Sequence, residues 1–349
     1  MNAWYVAALS SDVKKGEMLS RKILDEDLIL YRTSDGRPVA LHDRCPHRFV
    51  PLHMGTLKGD VVECCYHGLQ FDCSGACIRN PHGDGKIPVA ARVRAFPMVD
   101  RHTMCWIWMG DQPADESLIP DYSKLDEGSG YETTHGYFVI DAAYELVGEN
   151  LMDLSHVPFL HAGLLGSPEM AHALPSVKEE NGGLQVNRWM PNVQVPKVFD
   201  MLFRGDGRSV DLWSDMRWIP PSSFILDTGV HAPGESRDRG ASYYGVHILT
   251  PQTSRSTHYH FASARLPRKC QDPAFDSELA KLRQYIFFEQ DKPILDAQQR
   301  AIGDVDFWDM KPVLLQVDAG PVRMRRMLSA MLDKERMAAA QLRLTAARL

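Results

Sequence analysis

Two short segments of the chain each place a cysteine two or three residues before a histidine. The first reads RCPHR and contains Cys45 and His47, and the second reads ECCYHGL and contains Cys64, Cys65 and His67. Zinc sites of this size usually group cysteines with cysteines and histidines with histidines. Segments that each supply one thiolate and one imidazole suit a [2Fe-2S] cluster in which two thiolates bind one iron and two imidazoles bind the other. The sequence therefore predicts a cluster with mixed ligands.

The doubled cysteine leaves one ligand of this cluster open. Cys65 repeats the cysteine-to-histidine spacing of Cys45 and His47, whereas Cys64 stands three residues before His67. Spacing alone does not choose between the two thiols. The order of ligands is that of a Rieske centre, whose imidazoles raise the reduction potential by hundreds of millivolts above that of an all-cysteine ferredoxin. A ferredoxin is therefore a suitable electron donor.

A second candidate site lies between Asn150 and His161. Asn150, Asp153 and His156 recur at steps of three and share a face of a predicted helix, whereas His161 follows His156 by five residues. Five residues correspond to about 140° of rotation on an ideal helix, so the two histidines converge only if the helix bends. Pro158 lies between them, and we expect the bend there because proline removes a backbone donor.

Two histidines and one carboxylate form the facial triad of non-haem Fe(II) oxygenases. The carboxylate must come from another element, and Asp291 is the best candidate because it continues an apolar stripe on a long predicted helix. The stripe consists of Leu279, Leu282, Ile286 and Phe287. An acid on such a face needs a partner, which a metal ion would provide.

The elements around the first pair of segments predict a small all-β domain. From Lys22 to about Trp108 the chain has short apolar runs separated by turn signals such as Asp35-Gly36. Residues 111–130 are rich in Asp, Glu, Pro, Ser and Gly and read as a connection. We therefore predict a domain of residues 1–120.

The remainder, residues 121–349, is expected to form an α+β domain. Strand-like segments run from Leu184 to Phe261, and helical patterns precede and follow them. The second long helix covers 277–302 and contains Pro293, which should kink it. Strands flanked by helices favour an antiparallel sheet with helices packed against it.

Composition narrows the classes of function. The chain has 349 residues, 44% hydrophobic residues and a formal charge of -6. The negative charge argues against nucleic acid as a partner, and no apolar run is long enough to span a membrane. The N-terminus lacks a basic leader, and seven cysteines are an odd number for a disulfide framework, so we expect reduced thiols and a cytoplasmic location.

Together these motifs resemble the oxygenase components of Rieske O-demethylases, the vanillate and dicamba O-demethylase group. His47 and Cys64 are separated by sixteen residues, as the Rieske signature C-x-H-x(15-17)-C-x-x-H requires. NAWYVAAL near the N-terminus, NPHG, WIW-x-G, N-L-M-D-L-x-H-x4-H and HILTP also match. The resemblance selects Cys64 rather than Cys65 as the ligand.

The resemblance implies a Rieske domain followed by a helix-grip, START-like catalytic domain. It makes His156, His161 and Asp291 the ligands of a mononuclear Fe(II). It also places Asn150 and Asp153 in the catalytic set, with Asp153 bridging a Rieske histidine of one protomer to the iron histidine of the next in a homotrimer. Within one chain of such a family member the centres are too far apart for fast electron transfer.

The activity implied is the O2-dependent cleavage of a methoxy group on a small aromatic acid, which yields a phenol and formaldehyde. Electrons come from NADH through a separate flavin and [2Fe-2S] reductase or a ferredoxin, because the chain has no G-x-G-x-x-G fingerprint. His247 matches a substrate-contacting histidine, and Arg217 is a further candidate for the substrate carboxylate. Two alternatives stay open: a ring-hydroxylating or N-demethylating oxygenase, and an electron carrier without oxygen chemistry.

Overall fold

A computed structural model describes residues 2–267 and 273–346. The chain divides into two compact units. Met1–Asp121 and Thr250–Ser254 form the first, and Tyr122–Leu249 and Arg255–Leu349 form the second.

The first unit consists of short strands in three antiparallel sheets. The sheet orders are β1-β11-β10, β2-β3-β4-β9 and β5-β6-β7-β8. The strands are β1 (Trp4–Leu9), β2 (Leu19–Ile23), β3 (Glu26–Arg32), β4 (Pro38–His42), β5 (Thr56–Lys58), β6 (Val61–Glu63), β7 (Gln70–Phe71), β8 (Cys77–Arg79), β9 (Ala95–Phe96), β10 (Met98–Arg101) and β11 (Met104–Trp108).

Strand β3 separates two apolar clusters of this unit. Successive side chains of a strand point to opposite faces. Leu28 and Leu30 accordingly pack in one cluster, and Ile29 and Tyr31 pack in the other. The second cluster also contains the candidate ligands Cys45 and Cys64, together with side chains of the neighbouring strands β4, β6 and β7. This part of the core therefore holds the two ligand loops in place.

The second unit is built on a seven-stranded sheet in the order β12-β18-β17-β16-β15-β14-β13. From β13 to β17 each strand pairs with the next in antiparallel fashion, and β12 closes on β18 in the same way. The strands are β12 (Glu132–Ile140), β13 (Ser176–Glu180), β14 (Gly183–Val193), β15 (Val210–Ile219), β16 (Ser223–His231), β17 (Ala241–Thr253) and β18 (Ser256–Arg265).

Helices pack against this sheet. They are α1 (Tyr144–Met152), α2 (Val157–Leu160), α3 (Lys197–Leu202), α4 (Pro273–Gln284), α5 (Lys292–Ile302) and α6 (Ala319–Ala346). A π-helical segment, Tyr285–Asp291, joins α4 to α5. It ends two residues before Pro293, whose missing N–H interrupts the α-helical hydrogen-bond ladder, so the irregularity lies where the proline predicts one.

The long C-terminal helix α6 is anchored on α1. Met324 of α6 approaches Gly148 of α1 so closely that a Cβ at the glycine would lie 2.9 Å from the methionine Cε. Arg325 forms a two-pronged ion pair with Glu149, and both side chains are largely buried. No helix of the described residues is both long and apolar enough to cross a membrane.

Candidate metal centres

The two loops of the first unit have the same backbone geometry. In each, the cysteine N–H donates to the carbonyl five residues later, and the cysteine carbonyl accepts from the N–H four residues later. The distances are 2.9 and 2.9 Å for Cys45 and 2.9 and 3.0 Å for Cys64. The residue four positions on has positive φ in both, 62° at Phe49 and 67° at Gly68. The loops are therefore two copies of one turn.

These turns bring like donors together. Cys45 and Cys64 are buried side by side, and burial raises the pKa of the Cys45 thiol to about 11, with hydrogen bonding to Cys64 as a further cause. The rings of His47 and His67 lie 4.5 Å apart on the more exposed side. Cys65 is exposed. The burial and the pairing favour Cys64 over Cys65.

The donor set fits a Rieske cluster. Cys45 and Cys64 are free thiols without a disulfide, and two adjacent thiols beside two adjacent imidazoles match a cluster with both thiolates on one iron. Coordination would deprotonate both thiols, since thiolate is the form that binds iron. The backbone carbonyl of His67 accepts a hydrogen bond of 2.8 Å from the ring of His82, which fixes the second loop.

In the second unit the predicted bend occurs earlier than Pro158. Helix α1 ends at Met152, and the carboxylate of Asp153 accepts hydrogen bonds from the N–H of Ser155, at 2.7 Å, and from its hydroxyl. Such local bonds compete with helical ones and end the helix. Pro158 lies in the first turn of α2, where its missing N–H costs nothing.

The three predicted iron ligands converge. Oδ1 of Asp291 lies 3.3 Å from Nε2 of His161 and 3.8 Å from Nε2 of His156. The three ligand atoms all lie within 4.8 Å of one another. Ligand atoms bound at about 2.1 Å and at right angles around a metal lie about 3 Å apart, so the arrangement suits a single ion.

Neighbouring side chains orient these ligands. Nδ1 of His161 donates to Oε1 of Gln290 at 2.9 Å, so its Nε2 carries the lone pair that faces Asp291. The side-chain amide of Asn150 donates to Oδ1 of Asp291 at 3.3 Å. A π-helix turns less per residue than an α-helix, which lets the adjacent Gln290 and Asp291 both reach the site.

The electrostatics of the two histidines differ. Burial alone lowers the pKa of His161, but the hydrogen bond and charge of Asp291 outweigh it and raise that pKa. Burial lowers the pKa of His156. Its Nδ1 is buried without a hydrogen bond to the described residues, and Oδ2 of Asp153 lies 3.9 Å away. Neutral imidazole is the form that binds metal.

Sequence analysis missed a buried arginine that holds the loop between α1 and α2. Arg188 of β14 donates to the carbonyls of Leu154, Met170 and Ala173, the last at 2.9 Å. Leu154 directly follows Asp153. The sequence does indicate this burial. Successive side chains of β14 point to opposite faces, and Arg188 falls on the same buried face as Val186.

The predicted substrate residue His247 lines a cavity in the second unit. Its Nδ1 lies 2.8 Å from the hydroxyl of Tyr259, its Nε2 has no partner among the described residues, and burial lowers its pKa to about 4. Apolar and aromatic side chains dominate the cavity wall, with Arg283 as a cation that sequence analysis also missed. Arg217 is exposed on β15 and does not line this cavity.

Two known domain families match most of the chain. Residues 3–97 match the Rieske [2Fe-2S] domain, and residues 140–334 match the vanillate O-demethylase oxygenase C-terminal domain. Both the sequence resemblance and the predicted fold class are confirmed.

Relatives of known activity align end to end. The oxygenase component of chloroacetanilide N-alkylformylase from Rhizorhabdus wittichii is 37% identical over 96% of each chain. The oxygenase component of dicamba O-demethylase from Stenotrophomonas maltophilia is also 37% identical, over 93% of this chain and 95% of the relative.

A solved structure shows the same fold. Dicamba monooxygenase bound to 3,6-dichlorosalicylic acid superimposes with a TM-score of 0.89 and 36% identity, over 96% of this chain and 98% of the other. Another crystal structure of dicamba monooxygenase contains non-haem iron and dicamba. The chain belongs to the family of Rieske oxygenase components that carry the vanillate O-demethylase oxygenase C-terminal domain.

Proposed function

We propose that this protein removes the methyl group of a methoxylated aromatic acid with O2, giving a phenol and formaldehyde. The observation that carries the proposal is the convergence of His156, His161 and Asp291 in a chain that also has a Rieske domain. The cluster relays electrons and the mononuclear site activates oxygen. A protein that only carries electrons needs the cluster but not the mononuclear site.

The proposed roles of the first unit are those of cluster ligands. Cys45 and Cys64 bind one iron of the [2Fe-2S] cluster, and His47 and His67 bind the other. The buried thiols and the more exposed imidazoles support this assignment. The cluster would supply single-electron transfer when bound, and His47 and His67 would hold it on the more exposed side.

The proposed roles of the second unit are to hold Fe(II) and the substrate. His156, His161 and Asp291 would hold the iron, which would supply O2 activation. Gln290 sets the orientation of His161, and Asn150 donates to the iron ligand Asp291. The aromatic cavity wall excludes water from the reacting methyl group.

We further propose that Asp153 connects unlike centres of neighbouring protomers in a homotrimer. Its side chain is 28% exposed, and one oxygen lies 3.9 Å from Nδ1 of the ligand His156. A carboxylate in that position can accept a hydrogen bond from an imidazole of another subunit and one from His156. The donor of electrons is a separate reductase or ferredoxin, and since it draws on NADH we propose a cytoplasmic location.

The experiment is a panel of methoxybenzoates with purified protein and a reductase, in which oxygen uptake and formaldehyde are measured together. We expect one formaldehyde for each O2 consumed and a phenol as the aromatic product. Oxygen uptake with a hydroxylated ring and no formaldehyde would indicate ring hydroxylation instead. No oxygen uptake with any reductant would indicate an electron carrier.

The 37% identical chloroacetanilide relative makes N-dealkylation the second candidate. N-alkyl anilides belong in the same panel. Aldehyde release from them, without release from methoxybenzoates, would favour this second reaction.

A further inference from the structure

Arg283 carries a buried positive charge without a carboxylate partner. The residue is 9% exposed, and no acidic side chain of the described residues pairs with it. Its Nη1 donates to the hydroxyls of Thr134, at 3.1 Å, and Ser263. Its Nη2 is fully buried and has no hydrogen-bond partner within residues 2–267 and 273–346. A buried guanidinium normally has a counter-ion, because desolvating an unpaired charge is costly.

The fold does not need this charge. Thr134 and Ser263 hydrogen-bond to each other at 2.8 Å across β12 and β18, so their hydroxyls stay satisfied without the arginine. Burial lowers the pKa of Arg283, which shows that its surroundings oppose the charge. A charge kept against the local environment is typical of a binding residue rather than a stabilising one.

Arg283 and His247 line the same cavity, and each has one nitrogen, Nη2 and Nε2 respectively, without a hydrogen-bond partner among the described residues. Between them the wall includes the rings of Tyr243, Phe261 and Phe287. A cavity with aromatic walls and two side chains that each keep one nitrogen without a partner among the described residues is complementary to an aromatic ring bearing an anionic group. Arginine donates two parallel N–H groups to carboxylates, which a water molecule does not match.

The cavity is small. It measures about 30 Å³, room for little more than a water molecule. A second cavity of about 50 Å³ adjoins it, and Leu165 and Tyr243 line both. A ligand larger than water would have to displace side chains of this wall, and Leu165 and Tyr243 are the two that both cavities share.

We propose that Arg283 binds the oxyanion of the substrate, with His247 beside it, and that this protein is therefore selective for aromatic anions over neutral aromatic amides. The inference rests on the proposed function for its substrate ring and deepens it by naming the charged group. The oxyanion belongs to a carboxylate or a sulfonate, since both present oxygens in the geometry that a guanidinium recognises.

The test is calorimetric binding to the metal-loaded protein under anaerobic conditions. The ligands are 4-methoxybenzoate, 4-methoxybenzenesulfonate and 4-methoxybenzamide, which share one ring and differ in charge. We expect Arg283→Met to weaken binding of the preferred anion about 100-fold, as the loss of one partner of a buried charge pair does, and to leave the amide unchanged. Arg283→Lys keeps the charge but loses the two parallel N–H donors, and we expect about a tenfold loss of affinity for the anion.

Arg300→Gln is the matched control, since it removes a positive charge from an exposed helical position of the same unit. It should bind all ligands as the wild type does. Thermal unfolding separates a binding role from a structural one: we expect Arg283→Met to unfold at the same or a higher temperature. A lower unfolding temperature with unchanged affinity for the anions would assign Arg283 to structure and overturn the proposal.

The outcomes distinguish this inference from the proposed function. Anion binding that depends on Arg283, without formaldehyde release, supports the inference and contradicts O-demethylation. Formaldehyde release with an unchanged KM in Arg283→Met supports O-demethylation and overturns the inference. A wild type that binds the amide as tightly as the anions, or binds none of the three, also overturns it. Whether 4-methoxybenzoate or 4-methoxybenzenesulfonate binds more tightly identifies the oxyanion of the substrate as a carboxylate or a sulfonate.

Discussion

The two candidate metal centres of this chain are assembled in opposite ways. In the first unit each loop supplies its own cysteine and histidine, and the two loops repeat the same turn. In the second unit the two histidines flank the short helix α2, and Asp291 ends the π-helical segment. A centre built from local repeats can be identified in a sequence, whereas one built by convergence depends on the whole fold.

The centres also differ in exposure. His47 is exposed, and His67 is partly exposed. His161 and Asp291 are buried, as is Arg188, which holds the loop of the second centre. An exposed ligand edge suits electron exchange with partners, whereas a buried site suits chemistry that water would disturb.

The largest expected effect separates the two adjacent cysteines. Cys64→Ser should abolish the visible absorption of the cluster and reduce turnover below detection, because the buried thiol beside Cys45 has no substitute. Cys65→Ser, the control, should keep both, since Cys65 is exposed. A retained cluster in Cys64→Ser and a lost one in Cys65→Ser would reverse the assignment.

A second prediction concerns the proposed link between the centres. Asp153→Asn should keep both metals bound and yet lower turnover about 100-fold, because an amide does not accept the two hydrogen bonds of a bridging carboxylate. Rapid-mixing measurement of cluster oxidation would locate the loss in electron transfer. Cluster reoxidation at the wild-type rate would remove the bridging role.

A smaller effect is expected from the residue that orients His161. Gln290→Leu removes the acceptor of Nδ1 and should weaken Fe(II) binding at the mononuclear site about tenfold, the lower end of the range for such partners of metal ligands. Iron titration of the metal-depleted protein measures it. The Rieske cluster absorption is the internal control and should not change.

The smallest expected effect tests whether the Cys45 and Cys64 loops of the first unit are equivalent turns. Gly68→Ala forces a Cβ into a positive-φ position and should destabilise the protein by about 1 kcal/mol. The same Cβ would lie 3.3 Å from Pro81. Phe49→Gly, at the equivalent position of the other loop, should be neutral or stabilising because it relieves the same conformation. Thermal unfolding of both variants checks the equivalence of the loops.

Sequence analysis anticipated the first centre best because its information is local. The spacing of Cys45 with His47 and of Cys64 with His67 can be recognised within a few residues. Only the choice between the adjacent thiols needed the resemblance to the Rieske signature, and the burial of Cys64 supports that choice. For the second centre the sequence located the histidines but placed the bend at Pro158. The bend follows from the side chain of Asp153, whose hydrogen bonds to Ser155 end the helix earlier.

Arg188 and Arg283 were missed for a related reason. Both are cations on buried faces, Arg188 in an alternating strand and Arg283 four residues after Leu279 on a helix. A pattern search treats charged residues as exposed, although here one holds backbone carbonyls and the other faces a cavity. Pairing of distant elements, which decides burial, cannot be obtained from local periodicity.

Counting iron and acid-labile sulfide in one preparation tests the central claim most directly, namely that the chain holds two unlike iron centres. We predict about three irons and two sulfides per wild-type chain, and about two irons and two sulfides in Asp291→Ala with an unchanged Rieske signal in electron paramagnetic resonance. Asp309→Asn, an exposed carboxylate, should match the wild type. Equal iron in the wild type and in Asp291→Ala would contradict the account.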